Sequence, residues 1–385
     1  MNAPKLRFGE FKGKWQDSTL GDVSKVTSGG TPNRANNEFW NGSIPWVSTA
    51  LIDFNVIKAA DEFITEHGLN NSSAKLFPKN TLLMAMYGQG KTRGKVAILG
   101  IEAATNQACA AIMFNEGVDT NFAFHNLSGR YDEIRELSNA GSQENLSAGL
   151  IKELKLSYPQ ITEQQKIADF LSAVDDKITA LSAQKTALTQ YKQGMMQRIF
   201  SQTLRFKDDN GADYPEWEEM RLGDLLDYEQ PTKYLVSSTD YQDDYPIPVL
   251  TAGKTFILGY TDEQDGIFTN LPVIIFDDFT TANKFVNFLF KAKSSAMKML
   301  RNDPTKSNLR FIYETMQLLD FATGDEHKRY WISEYQEQFI FVPCLEEQTK
   351  IAQFLTELDD KINAVGAQIQ SVQQWKQGLL QQMFI

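Results

Sequence analysis

A glycine-rich stretch, Tyr87-Gly88-Gln89-Gly90-Lys91-Thr92-Arg93-Gly94-Lys95, follows an apolar run and carries three cations in its second half. Glycine permits close backbone approach, and Lys91, Arg93 and Lys95 have the charge to hold phosphates. The Gly-Lys-Ser/Thr ending of a P-loop is absent at the required spacing, so phosphate contact and an ordinary solvated hairpin both stand as readings. Gln89, Asn106 and Gln107 have the amide chemistry that pairs with adenine, though amides equally cap turns. Farther along, Lys291, Lys293, Lys298, Arg301, Lys306 and Arg310 form a basic run interrupted only by Asp303. Asp277-Asp278-Phe279-Thr280-Thr281 reads as a turn after a strand, and its carboxylates suit a cytosine amino group, the turn itself or a metal. Trp46, Tyr87, Tyr260 and Phe279 can pack reading loops, with core packing their ordinary role. Glu153-Leu154-Lys155 has a nuclease-like spacing but is too short a match to support hydrolysis.

These residues sit in a chain of 385 residues, enough for two domains with connecting structure. Two cysteines and three histidines, scattered along the sequence, suit neither a disulfide scaffold nor a local zinc site. A reducing, cytoplasmic setting is expected. Met1 to Trp15 lacks an apolar signal core and no run of apolar residues is long enough to span a bilayer, so secretion and membrane insertion are not expected. A net charge of −11 argues against a polyanionic partner unless the charge is unevenly placed. It is: residues 1–162 hold 16 basic and 16 acidic groups, whereas residues 201–346 hold 14 and 25.

The element that must position the candidates is a repeat. Glu163 to Phe200 recurs as Glu347 to Phe384 at an offset of 184, with 20 of 38 positions identical. A weaker repeat opens each half: Leu6-Arg7-Phe8 with Leu204-Arg205-Phe206, and Trp15 and Leu20-Gly21-Asp22 with Trp217 and Leu222-Gly223-Asp224. Each closing segment has a coiled-coil seam. Ile167, Leu171, Val174, Ile178 and Leu181 lead the first, and Ile351, Leu355, Leu358, Ile362 and Val365 the second; Lys185, Lys192 and Lys376 interrupt them. Thr162 and Gln165 are expected to cap the first helix reciprocally after Pro159. Thirty-eight residues make a helix of roughly 57 Å. An insert of 146 residues returns the chain easily, so the helices are expected to pair antiparallel as one rod, with both inserts on the same side. Gly194 and Gly378 are expected to be packing or bending positions.

The inserts read as mixed α/β. Thr81 to Tyr87, Val96 to Leu99 and Ala108 to Phe114 are strand-like in the first; Pro248 to Leu250, Phe256 to Tyr260, Pro272 to Phe276 and Phe285 to Phe290 in the second, with a helix expected over Asn308 to Leu319. Past their shared opening the two look unalike.

Ser28-Gly29-Gly30-Thr31-Pro32, Trp40-Asn41-Gly42-Ser43-Ile44-Pro45-Trp46, Gly94 with Asn106-Gln107, Gln143-Glu144-Asn145-Leu146, Leu156 to Pro159, and the twice-occurring Glu-Gln and Ile-Ala pairs at 163, 167, 347 and 351 resemble the specificity subunit of bacterial type I restriction-modification enzymes. The resemblance covers essentially the whole chain. It implies an α/β fold class: two mixed α/β target-recognition domains, residues 1–159 and 201–345, joined by two long antiparallel coiled-coil helices, residues 160–200 and 346–385, in a pseudo-twofold repeat. It further implies a non-catalytic, cofactor-free chain that binds double-stranded DNA and docks methylation subunits, with translocation-cleavage subunits joining through the assembly; the two repeated helices offer two related docking surfaces, so two methylation subunits are expected. The second insert lacks the Gly-Gly-Thr-Pro and Ile-Pro-Trp elements, as an asymmetric split target requires. Candidate DNA-binding residues are Arg34, Gln89, Lys91, Arg93, Lys95, Lys254, Thr280, Lys306 and Arg310. No glycine-rich methyl-donor site with an Asn/Asp-Pro-Pro-aromatic motif is recognisable, which disfavours a free-standing modifying enzyme; a scaffold or phage-like assembly protein that binds no DNA is the other alternative.

Overall fold

The computed structural model describes residues 4–88, 91–137, 145–251, 255–319 and 330–384. Two helices of 40 residues dominate it, Ile161–Phe200 and Leu345–Phe384. By contacts the chain divides into two compact units. Residues 1–183 and 366–385 form the first, and residues 184–365 the second. Each unit thus takes one globular insert, half of one long helix and the opposite half of the other. Within each, the two helix segments run antiparallel: Lys376 pairs with Asp175 in the first, and Lys192 with Asp359 in the second.

In the first unit a five-stranded sheet has the order Ser24–Ser28, Cys109–Phe114, Leu82–Ala85, Val96–Leu99, Asn55–Ile57. The central pairs are antiparallel, with Ala110 opposite Met84 and Leu83 opposite Ala97. Leu82, Met84, Val96, Ile98 and Ile112 face a core shared with Ile167, Leu171, Val174 and Met383 of the long helices. Leu83, Ala85, Ala97, Leu99 and Cys109 face a second core with Val47 and Ile52. Burial on both faces is why these strands read as unbroken apolar runs instead of alternating. Each fully buried large aliphatic side chain contributes about 1.5–3 kcal/mol. Burial also pushes the Cys109 thiol up to about 12.

A second sheet, Glu62–Ile64, Trp40–Val47, Ala103–Thr105 and Leu76–Phe77, carries the loop at 29–36. Gly29 and Gly30 are packing residues of that loop. A Cβ on Gly29 would stand 2.1 Å from the Thr105 carbonyl oxygen, and one on Gly30 2.3 Å from Ser73.

The second unit repeats the plan with other residues. Its four-stranded sheet runs Asp227–Glu229, Met297–Arg301, Val273–Asp277, Asn283–Val286. Ile274, Phe276 and Leu300 pack toward the long helices, and Val273, Ile275 and Met299 toward a separate core. A smaller mixed sheet joins Ile257–Thr261, Ile247–Leu250 and Lys291–Ala292. The Phe285 to Phe290 strand expectation is corrected: the strand is Asn283–Val286, and Phe288 and Leu289 are exposed. The helix expected from Asn308 is Leu309–Met316, with Asn308 accepting from the Arg310 and Phe311 amides as its cap.

Both long helices are anchored alike. Arg7 gives a two-pronged ion pair to buried Glu163, and Arg205 the same to buried Glu347. Gln164 accepts from the Asp119 amide and Gln348 from the Asn308 amide, both at 2.8 Å. Asp119 and Asn308 cap the helix of each insert that lies on the long helices, so the repeated Glu-Gln pair ties three segments to one point. Along the seam Ile167, Leu171, Val174, Leu181, Ile351, Leu355, Leu358 and Val365 are buried, and Ile178 and Ile362 half-buried.

Two expectations are corrected. The first helix already begins at Ile161, so Thr162 lies within its first turn and is not the cap. Gly194 and Gly378 are not packing positions, since a Cβ at either meets nothing within 4 Å. Removing a helix-interior glycine then carries no steric penalty, and Gly194→Ala and Gly378→Ala should each stabilise the protein by about 0.5–1 kcal/mol. Urea unfolding checks this; a loss of stability in either variant would show that the glycine is needed.

Candidate nucleic-acid interface

Arg34 leaves the Gly-Gly-Thr-Pro loop with its side chain half-exposed and is held on three sides. Its Nη1 and Nη2 donate to the two oxygens of Glu62, the latter at 3.0 Å. Its guanidinium lies 3.9 Å from the Trp40 ring centroid and 4.8 Å from that of Trp46. Both indoles are fixed: Trp40 Nε1 donates to the Asn33 carbonyl and Trp46 Nε1 to that of Gly30, each at 3.1 Å. The hydrogen bond with Arg34 holds the Glu62 carboxyl below its usual range. The Thr31 hydroxyl donates to Gln107 Oε1, and Asn106 accepts from the Ala108 amide as a turn former.

The three cations of the glycine-rich segment have different surroundings. Lys91 is exposed, and its carbonyl accepts from the Tyr131 hydroxyl. Arg93 is buried, so it is not displayed beside Lys91. Lys95 is half-buried and pairs with Asp53 at 2.6 Å. Gly88 and Gly94 take φ of +135° and +85°, the left-handed region that glycine tolerates. Gln89 and Lys254 lie outside the described residues.

The basic run of the second insert is not one positive strip. Lys291 pairs with Glu263 at 2.8 Å, and buried Lys298 with Asp278 at 3.4 Å. Arg310 turns inward to Glu314 and Asp359 and lies 5.1 Å from the Phe285 ring centroid. Lys306 is exposed, with Asp303 at 3.7 Å. Asp277 and Asp278 are buried turn formers. Asp277 accepts from the Phe279 amide at 3.0 Å and from the hydroxyl of exposed Thr280 at 2.7 Å, while Asp278 accepts from the Trp331 amide at 3.0 Å. Of the candidates, Arg34, Lys91, Thr280 and Lys306 are accessible, and Arg93, Lys95 and Arg310 are engaged with the protein.

Sequence reasoning did not single out two residues of the insert helices. His125 and Glu314, each the sixth residue past its helix cap, face the long helices and are buried. His125 Nδ1 lies 3.9 Å from Asp175 and Nε2 3.2 Å from the Ser172 hydroxyl. Glu314 accepts from Lys192 at 3.2 Å and pairs with Arg310. The lysine on each apolar seam signalled an acid across from it, which Asp175 and Asp359 supply; it did not point to His125, and Glu314 is a further partner of Lys192 alone. Burial, then the charge of Lys376, pushes the His125 imidazole down to about 3. The imidazole is therefore neutral when folded and protonates near 6.5 when unfolded. Between those values the unfolded chain binds the extra proton, so this contribution to stability is lost as pH falls below about 6.5. His125→Gln should remove up to about 1.4 kcal/mol per pH unit of that slope. Urea unfolding of both proteins at pH 5 and pH 7.5 tests this, and an unchanged difference between the two pH values rules it out.

The family model for the type I restriction modification DNA specificity domain matches residues 12–190 and again 214–374. The specificity subunit of the Escherichia coli type I restriction enzyme EcoR124I/EcoR124II is 52% identical over 162 residues, 40% of this chain and 40% of that protein. The MjaIX specificity subunit of Methanocaldococcus jannaschii is 28% identical over 234 residues, 57% of this chain and 54% of that one. The chain thus spans about half the length, or less, of these relatives. The crystal structure of a type I restriction-modification S subunit from M. genitalium shares the fold over 100% of this chain and 99% of its own, with a TM-score of 0.67 at 16% identity. The two copies of the family match end within the two long helices, so each takes in one insert with the Glu-Gln pair that ties it down. This chain belongs to the family of type I restriction-modification DNA specificity domains.

Proposed function

We propose that this chain is the non-catalytic DNA sequence-specificity subunit of a type I restriction-modification complex, reading an asymmetric, bipartite double-stranded target and docking methylation subunits. One observation carries the reading: the same anchor, Arg7–Glu163 with Gln164–Asp119 and Arg205–Glu347 with Gln348–Asn308, holds two inserts that differ in strand number and surface residues. Equivalent mounts with unlike readers suit a target of two unlike words. Residues 1–159 and 201–345 are the target-recognition domains, and residues 160–200 and 346–385 the spacers. Lys91 and Lys306 are phosphate contacts, and Arg34 and Thr280 lie where they meet the groove.

No helix among the described residues is long and apolar enough to cross a membrane. Sequencing the DNA methylated by the reconstituted complex tests the function. One asymmetric motif of two short words around an unread gap is expected. Absence of any DNA binding with methylation subunits present would return the chain to the scaffold class.

Two methylation subunits per chain are the proposed stoichiometry, with translocation-cleavage subunits joining through that assembly. Tyr191 and Trp375 occupy equivalent positions of the repeat, and each is 52% exposed, unusual for aromatics on a packed helix. Tyr191→Ala and Trp375→Ala should each weaken one of two docking events by about tenfold or more, as loss of an aromatic anchor does. Native mass measurement at saturating methylation subunit reads this directly; a wild-type complex that holds only one copy contradicts it.

A further inference from the structure

We infer that Arg34 reads a guanine in the first word of the target through its one unengaged edge, and that Glu62 is the positioning residue that aims it. The inference rests on the specificity reading and names one base contact within it. Glu62 takes one N–H from each terminal nitrogen of Arg34, the end of the guanidinium fork. That leaves the side edge, Nε–H with the second Nη2–H, which meets no protein acceptor among the described residues, and the Arg34 side chain is 53% exposed. The Trp40 and Trp46 rings, which stand at 82° to each other, confine the group from two sides, and the two-point bond to the carboxylate fixes the direction of its remaining donors. A planar fork with two parallel donors matches the O6 and N7 acceptors of guanine, the commonest specific contact in the major groove. The Glu62 carboxylate decides between guanine and a phosphate. It cancels the charge that would attract a phosphate and repels one directly, while leaving the direction of the free donors intact for a neutral base edge.

The test uses the whole chain in complex with methylation subunits. Selection of bound DNA is compared for wild type, R34K and E62Q, and 7-deazaguanine, which lacks the N7 acceptor, replaces each guanine of the first word in turn. Preference at one G·C pair of the first word should fall by about tenfold or more in both variants. Every other position and the whole second word should stay as they are, the latter serving as proof of a folded, assembled complex. At that pair 7-deazaguanine should weaken wild type and leave R34K unaffected. Retention of every preference in both variants would overturn the assignment alone. So would a uniform loss across sequences with a salt slope reduced by about one, which is the signature of a phosphate contact. A wild-type complex that enriches no sequence overturns the specificity reading itself.

Discussion

Lys192→Met is expected to lower the stability of the second unit by about 3–5 kcal/mol, whereas Lys376→Met costs the first unit about 1 kcal/mol or less. The two lysines occupy the same position of the repeat and each meets the equivalent aspartate of the other long helix, so sequence alone assigns them one value. Their surroundings differ. Lys192 lies 2.7 Å from Asp359 and also holds Glu314, whose side chain is 0% exposed; Arg310 completes the four-membered group. Without Lys192, Arg310 alone must serve two carboxylates, one of them with no access to water. In the first unit Asp175 is 32% exposed, and the insert helix presents neutral His125 instead of a carboxylate. Water can replace Lys376 there. Lys192→Met/Glu314→Gln should recover most of the loss, because it removes the stranded charge with its partner. Hydrogen exchange over the two insert helices, alongside urea unfolding, assigns each change to its unit. Equal losses from the two single variants would show that the buried carboxylate is not the deciding group.

What the sequence disclosed follows from how far apart the cooperating residues lie along the chain. The long helices were legible because their pattern is local and stated twice. The central strands were legible because burial on both faces leaves an unbroken apolar run such as Val96 to Leu99. Composition along a stretch gave the basic run of the second insert, but not which way each cation turns. Arg310 meets Asp359, 49 residues away, and Lys192 meets the same carboxylate across 167 residues. A lysine interrupting an apolar seam is a request for an acid across it, and the repeated Asp-Asp-Lys of the opposite helix was the signal to match with it. The Arg34 site shows the same limit at shorter range. Its carboxylate partner stands 28 residues on, at the start of a strand, so the arginine was visible as a cation and its fixed orientation was not.

Lengthening both long helices by whole heptads is expected to lengthen the unread gap in the target while leaving both words unchanged. Residues after Ala183 and after Ala367 suit the insertions, because they are repeat-equivalent and the seam there is thin: Ser182 to Lys185 are exposed. Whole heptads keep the apolar face in register, and duplicating the preceding residues keeps its composition. Two heptads add about 21 Å of helix. That corresponds to about six base pairs, just over half a turn of B-form DNA, so the second word would present the wrong side of the duplex to its reader. A longer preferred gap with weakened binding is the expected outcome. Three heptads add about 31 Å, or about nine base pairs, close to one full turn, and affinity should recover. The asymmetry between the two insertions matters more than either alone, because a change that merely damaged the helices would worsen with length. Sequencing of bound and methylated DNA from native, two-heptad and three-heptad complexes gives gap and affinity together. A gap that stays fixed while all three complexes remain active would mean that the spacing of the words is not set by these helices.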